Sequence, residues 1–282
     1  MKITFLGTGS PESHARRASS GYLVEVGTDK ILLDCGGGVV SRLIESGRLP
    51  SDVTHLFFTH LHTDHMMDYG RLIHAAWDEG RVSMKVIGPA PIASITEKLF
   101  GKDGVLSTDL HARTENQGSQ EVWLARGGTL PRPWPSPEIS EVEPGFYYEG
   151  NGWKLTSCSA PHAQPWLTCM AFRIEAEGKS FVYSGDSALS AEVEELCKDA
   201  DVLLHWCYRM KEETSNTFIA SMSPSPDQIG EMAERAGVRQ LFITHMRKKT
   251  DTEKGRAKAL ADVKSTFTRE AKIAEDLDMV KL

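Results

Sequence analysis

Within one six-residue string, His60-Leu61-His62-Thr63-Asp64-His65, four side chains are able to ligate a metal ion. The string lies where a strand-like run, THLFF at 54 to 58, gives way to helix-compatible spacing from Asp64 to Trp77. On such a turn, side chains at alternate positions can converge, so His60 and His62 can grip one ion while Asp64 and His65 face a second nearby. A regular helix or strand would not let all four do this. Neutral imidazole and carboxylate together suit zinc, and also iron or manganese, with zinc the expected metal. The bland alternative, a solvated polar loop with incidental histidines, fits poorly with three of the chain's ten histidines packed beside an aspartate.

A turn of this kind needs rigid flanks. ITFL at 3 to 6, GYLVEV at 21 to 26 and KILLD at 30 to 34 are short apolar or alternating runs divided by Gly, Ser and Asp, the chemistry of strands and turns. Gly36, Gly37 and Gly38 precede VVSRLIESG, where Val39, Val40, Leu43 and Ile44 have helical spacing that ends at Gly47. VSMKVIGP at 82 to 89 reads as a strand stopped by Gly-Pro before a helix near 91 to 100. Between Gly101 and Gly150, the run PRPWPSP at 131 to 137 can continue neither a helix nor a central strand. An irregular excursion at about 101–150 is therefore expected, of the kind that often covers a binding site.

The second half repeats the style, with strands expected at 152 to 158, 170 to 176, 179 to 184 and 201 to 206. Its best-marked helix starts with Ser225 as N-cap and Pro226 at the first helical position, and stops at Gly237. The strand LFITH at 241 to 245 nearly repeats LFFTH at 56 to 60. Chance similarity of two apolar strands explains the strings alone; the functional reading is that two β-rich halves each deliver a histidine to a shared cleft. Lys, Ala and Glu with apolar spacing after Gly255 read as a final surface helix.

At 282 residues with 40% hydrophobic content the chain can bury a large core, and one domain is expected across 1–282. A formal charge of −7 argues against a surface built broadly for phosphate backbones, so the expected partner is a small-molecule substrate rather than nucleic acid. Five cysteines, Cys35, Cys158, Cys169, Cys197 and Cys207, lack C-x-x-C spacing and fit reduced thiols. MKITFLGTGS reads as a strand and Gly turn, not a signal peptide, and no apolar run is long enough to cross a bilayer. A cytoplasmic protein without membrane contact is expected.

HLHTDH resembles the H-x-H-x-D-H signature of the metallo-β-lactamase superfamily, and MKITFLGTGSPESHARRASS followed by LLDCGGG resembles its ribonuclease Z and arylsulfatase-like branch. The resemblance implies an α/β fold, a four-layer αββα sandwich of two mixed β-sheets flanked by helices. It also implies the remaining ligands: His162 in SAPHAQP, Asp186 in YSGDS and His245 in FITHM. By that correspondence His60, His62 and His162 hold one metal, Asp64, His65 and His245 the other, and Asp186 bridges two divalent ions, Zn2+ with Mn2+ or Fe as alternatives. Asp34, in LLDCGGG, matches a position that hydrogen-bonds a ligand rather than the metal. Relatives in this branch are often dimers, so a homodimer is implied.

Two positions depart from the family pattern. Where ribonuclease Z proteins carry His-Glu-Ala, this chain has His205-Trp206-Cys207, and where they carry a histidine before the late helix it has Ser223. An acid-base pair of that kind contributes on the order of a hundredfold to ten-thousandfold in rate. With Trp206, Trp166, Tyr208 and Ser223 as a candidate substrate pocket, the expected activity is a dinuclear hydrolase. It would use a metal-bridging hydroxide, with Asp64 as ligand and proton acceptor, to cleave a small phosphodiester, sulfate ester, carboxylic ester or lactone. Transfer-RNA 3′-end processing is the alternative, and a non-hydrolytic iron redox enzyme the second.

Overall fold

The computed structural model describes residues 1–213 and 217–282, with the side chains of all of these except Thr217 and Ile219. Among the described residues the strands are β1 (Lys2–Gly7), β2 (Gly21–Val26), β3 (Asp29–Leu33), β4 (His55–Phe57), β5 (Lys85–Gly88), β6 (Glu138–Glu141), β7 (Tyr147–Glu149), β8 (Trp153–Ser159), β9 (Met170–Ala176), β10 (Lys179–Tyr183), β11 (Val202–Trp206), β12 (Gln240–Thr244), β13 (Glu270–Ile273) and β14 (Met279–Lys281). They form two seven-stranded sheets, ordered β14-β1-β2-β3-β4-β5-β6 and β13-β12-β11-β10-β9-β8-β7. Both sheets are mixed. β1, β2 and β3 run as an antiparallel meander, whereas β3, β4, β5 and β6 pair in parallel. In the second sheet β10, β11, β12 and β13 are the parallel set.

The alternation read from the sequence explains the layers. Ile3, Phe5, Tyr22, Val24, Ile31, Leu33 and Phe57 point between the sheets and meet Leu155, Phe172, Ile174, Phe181, Leu204 and Phe242 from the other side. Each such buried side chain contributes about 1.5–3 kcal/mol relative to exposure. The opposite faces are covered by helices: α1 (Val39–Glu45), α2 (Thr63–Met66), α3 (Tyr69–Asp78), α4 (Ile92–Phe100), α5 (Ser107–Glu115) and α6 (Gln117–Ala125) follow strands of the first sheet. α7 (Ala191–Leu196), α8 (Thr217–Met222), α9 (Pro226–Arg235) and α10 (Glu253–Lys264) follow strands of the second. Leu6, Leu23 and Leu32 pack under Val40, Leu43, Leu72 and Trp77, and Val182, Leu203 and Leu241 under Val193, Met232 and Val263. The result is helices, sheet, sheet, helices, the four layers expected. No helix among the described residues is long and apolar enough to cross a membrane.

Several boundaries differ from the sequence reading. The stretch 101–150, expected to be irregular, holds α5, α6, β6 and β7. Only Leu110 is buried in α5 and nothing is buried in α6, so neither helix carries the apolar stripe that periodicity detects. The Pro-rich segment between them and β6 is pinned by Arg132, whose guanidinium lies 3.6 Å from the Trp77 ring centre and 4.3 Å from that of Trp123 while it bonds Asp78 at 2.9 Å. The run from Asp64 to Trp77 is two helices, α2 and α3, divided at Met67 and Asp68. There the Asp68 carboxylate turns back to accept the N–H groups of Gly38 and Val40, each at 3.0 Å. α10 is the last helix, as read from the sequence, but the chain then continues into the short edge strands β13 and β14. α9 begins where expected, with the Ser225 N–H donating to Gln228 Oε1 at 3.0 Å.

Candidate metal centre

β4 and β12 lie in different sheets, and each is followed within three residues by a histidine, His60 and His245. The echo between LFFTH and LFITH is thus one structural device used twice. After β4 the chain turns through Thr59 to His62 and starts α2, which puts Asp64 and His65 in its only turn. Gly36 makes this possible: a Cβ there would stand 2.0 Å from the Asp64 carbonyl oxygen. Gly185 does the same for Asp186, having φ 56° and a Cβ direction that would meet the Met170 carbonyl at 2.7 Å. His245 itself has φ 66°, a left-handed conformation that a side chain resists and that clusters at functional sites.

Seven side chains converge in two groups. In the first, His60 Nε2 and His162 Nε2 lie 3.0 and 3.3 Å from His62 Nδ1. In the second, His245 Nε2 lies 3.2 Å from both Asp64 Oδ2 and Asp186 Oδ2, and His65 Nε2 lies 3.5 Å from Asp64 Oδ2 and 3.4 Å from Asp186 Oδ1. One potential donor atom from each residue of a group lies within 4.8 Å of the others. Asp186 joins the groups, since its Oδ2 is also 3.7 Å from His162 Nε2.

Protonation follows from burial and charge. Burial holds His60 well below the ordinary imidazole range and lowers His62 and His162, leaving the neutral ring whose lone pair ligates. For Asp186 burial alone would raise the pKa, but His245 and His65 outweigh it and hold the group well below the carboxylate range. Asp64 is lowered in the same way against its own burial, by His245 and His65. At His65 burial is outweighed by Asp186 and Asp34, and the pKa stands well above its ordinary value. His65 Nε2 and Asp186 Oδ1 are nevertheless buried without a hydrogen-bond partner. Such atoms are costly to bury unless something else satisfies them, and a donor set of imidazole and carboxylate fits divalent cations.

Asp34 organises the second group from behind. It accepts the Thr59 N–H at 2.8 Å, the Thr59 hydroxyl at 2.8 Å, the Tyr183 hydroxyl at 3.0 Å and His65 Nδ1 at 2.8 Å. Because a carboxylate only accepts, His65 donates from Nδ1 and presents Nε2 to the centre. Asp34 sits at φ 59° and is fully buried. Thr59 and Tyr183 were not among the sequence candidates; Thr59 precedes the signature string, but nothing local marks Tyr183.

The proposed pocket residues divide. Trp206 is buried, with its ring centre 5.2 Å from that of His162 and 5.6 Å from that of His245, both edge-on. Tyr208 stacks on Trp206 at 6.1 Å and lies 6.0 Å from the His245 ring, with the Arg247 guanidinium 4.7 Å from its own ring centre. Trp166 is 89% exposed on the loop that carries His162. Ser223 is buried ahead of α9, and its Oγ has no hydrogen-bond partner. All five cysteines are free thiols.

Residues 29–246 match the family model of the beta-lactamase superfamily domain. The chain belongs to the metallo-β-lactamase superfamily. It falls in the ribonuclease Z branch, being 30% identical over 253 residues to a ribonuclease Z of Mycobacterium sp. (strain KMS), across 87% of this chain and 84% of that protein. The superfamily member is a metal-dependent hydrolase in fold and in donor set. Its fold matches a metallo-β-lactamase fold protein of Bacillus subtilis with a TM-score of 0.76 at 20% identity over 99% of each chain. The short form of human tRNase Z matches with a TM-score of 0.70 at 16% identity, over 100% of this chain and 99% of that one.

The sequence relatives overturn the expectation of a small-molecule substrate with nucleic acid disfavoured, since the protein that this chain matches at 30% identity is a ribonuclease Z. The physical reason is that net charge sums over the whole chain and does not describe the field at one cleft. Charge is unevenly placed: Asp251 alone gathers Arg16, Arg17 and Arg256 at 2.7, 2.8 and 2.9 Å. Arg247, Lys248 and Lys249 come two to four residues after His245, with Arg247 and Lys249 both beside Glu213.

Proposed function

We propose that the chain is a ribonuclease Z-like endoribonuclease that hydrolyses a phosphodiester at transfer-RNA 3′ ends with two divalent ions, zinc being favoured by the histidine-rich donor set. The observation that carries this reading is the pair of donor groups joined by Asp186, in a chain 30% identical to a ribonuclease Z. His60, His62 and His162 would hold one ion, Asp64, His65 and His245 the other, with Asp186 between them. When bound, such ions supply positive charge beside the phosphate and bring the pKa of water towards neutrality.

The side chains set the rest of the reaction. Asp64, kept ionised, orients the attacking water and accepts its proton. Asp34 holds the His65 ring in one tautomer and orientation. Trp206 walls the site on the side of His162 and His245 and excludes water there. With tryptophan and serine at 206 and 223, no side-chain acid stands where the family pattern places one, and the leaving oxygen takes its proton from water. Incubating metal-loaded protein with a precursor transfer RNA bearing a 3′ trailer tests the reading. One endonucleolytic cut at the trailer junction, lost with chelator, supports it, and an intact precursor under conditions of full metal loading rejects it.

A further inference from the structure

Of the chain's six tryptophans, Trp77, Trp153 and Trp206 are buried to 4% exposure or less, Trp123 and Trp134 are half-buried, and Trp166 is 89% exposed. No other large apolar side chain among the described residues is as exposed. Tryptophan carries the largest apolar surface of any residue and is highly buried on average, so a fully presented indole is a departure to be explained. The backbone beneath it is well tied. The Trp166 and Leu167 N–H groups donate to the Ala163 carbonyl at 3.1 and 3.2 Å, Gln164 Nε2 donates to the Ala160 carbonyl at 2.9 Å, and the His162 N–H donates to Gln164 Oε1 at 2.8 Å. Ala163 and Leu167 pack against the outer core of the second sheet. The loop is anchored and only the indole is free.

Its position decides what it would meet. His162, four residues earlier on the same tied loop, lies in the first donor group, 3.3 Å from His62 Nδ1. Four residues of chain span at most about 14 Å, roughly two nucleotides of extended RNA, so a phosphodiester held at that centre has its flanking nucleotides in reach of the loop. Single-stranded RNA near a cleavage site has unstacked bases, and aromatic side chains take them face to face with little regard to base identity.

We infer that Trp166 is a base-stacking platform for a nucleotide of single-stranded RNA next to the scissile phosphate, a positioning role that rests on the endoribonuclease reading above. Stacking is present before and during the chemical step, so its loss weakens binding and KM more than kcat. The indole packs against nothing that the fold needs, so Trp166→Ala keeps the wild-type circular dichroism and thermal midpoint.

The experiment uses metal-loaded full-length chain, precursor transfer-RNA transcripts, and a set of transcripts that each carry one abasic nucleotide within three positions of the cut. Initial rates give kcat and KM, and fluorescence anisotropy gives Kd for transcripts blocked by a methylphosphonate at the scissile linkage. The expected result is a rise of about five- to hundredfold in KM and Kd for Trp166→Ala, with kcat within about threefold and most affinity restored in Trp166→Phe. At one position an abasic nucleotide weakens wild-type binding by a similar factor and leaves Trp166→Ala binding within about twofold. Equal Kd for Trp166→Ala and wild type, or an abasic penalty that persists in full in the variant, overturns the inference and leaves the endoribonuclease reading standing. A wild-type chain that neither binds nor cuts the precursor overturns both.

Discussion

Two corners of the molecule are built on opposite terms. At the donor corner, His60, His62, Asp64, His65, His162, Asp186 and His245 converge, and Asp34 saturates itself with four hydrogen bonds to hold His65 and Thr59 in place. At the other corner, the end of β11 with the segment ahead of α9, the buried His205 Nε2 and Ser223 Oγ have no partner, and the buried Trp206 ring lies edge-on to His162 and His245. In the first corner the orphaned His65 Nε2 and Asp186 Oδ1 lie 3.4 Å apart among the other donors. The contrast separates what the centre needs in order to hold charge from what tunes the departure of a product.

The sharpest way to break the comparison is to remove the residue that joins the two donor groups. Asp186→Ala should lower phosphodiester hydrolysis by about 10⁴-fold, because it removes charge and orientation at once. Metal analysis should show the loss of bound ions while circular dichroism keeps the fold. An active Asp186→Ala enzyme would mean that the donor corner is not the reacting one.

The second corner can be tested by restoring what the family pattern places there. Trp206→Glu with Ser223→His should raise kcat on precursor transfer RNA by about a hundredfold if an acid at the leaving group is the missing part. Each single change should gain little. A double variant no faster than its parent would place the rate-limiting step elsewhere.

Asp34→Asn sharpens the first corner from behind. Asparagine tolerates the left-handed backbone, so the fold should survive, but the carboxylate that accepts from His65 Nδ1 is gone. Metal affinity should fall about 10- to 100-fold by competition with a chelating dye.

The last effect is one of pH on the second corner, and it reaches stability rather than the reaction. Burial depresses His205 to about 4 against an ordinary value of 6.5. The unfolded chain therefore takes up a proton between those values that the folded chain does not, so stability is full above about pH 6.5 and falls as the pH drops towards 4. The expected loss is on the order of 3 kcal/mol at pH 4, measured by urea unfolding. His205→Phe should flatten that part of the profile, and an unchanged slope would show that the imidazole titrates normally.

How much of this was legible in the sequence follows from how local each feature is. The string from His60 to His65 carries its candidate donors within one turn, and the alternation in β1, β2 and β9 shows which side chains face the partner sheet. His162 and Asp186 needed the resemblance, because nothing in their own neighbourhoods marks a donor, whereas the echo of LFFTH in LFITH pointed to His245 by itself. The helices α5 and α6 were hidden because they lie on the surface with almost no buried face, and β13 and β14 because they are short, half-exposed edges. The break at Asp68 and the role of Tyr183 rest on contacts between segments distant in sequence. The substrate class was misjudged because total charge stood in for the charge at one site.

Metal content tests the centre most directly. Protein loaded with zinc, passed through a desalting column and analysed by inductively coupled plasma mass spectrometry should retain two ions per chain, falling to one or none in Asp186→Ala. Full precursor cleavage by protein that holds no metal, or two ions retained undiminished by Asp186→Ala, would contradict a dinuclear centre joined at that carboxylate.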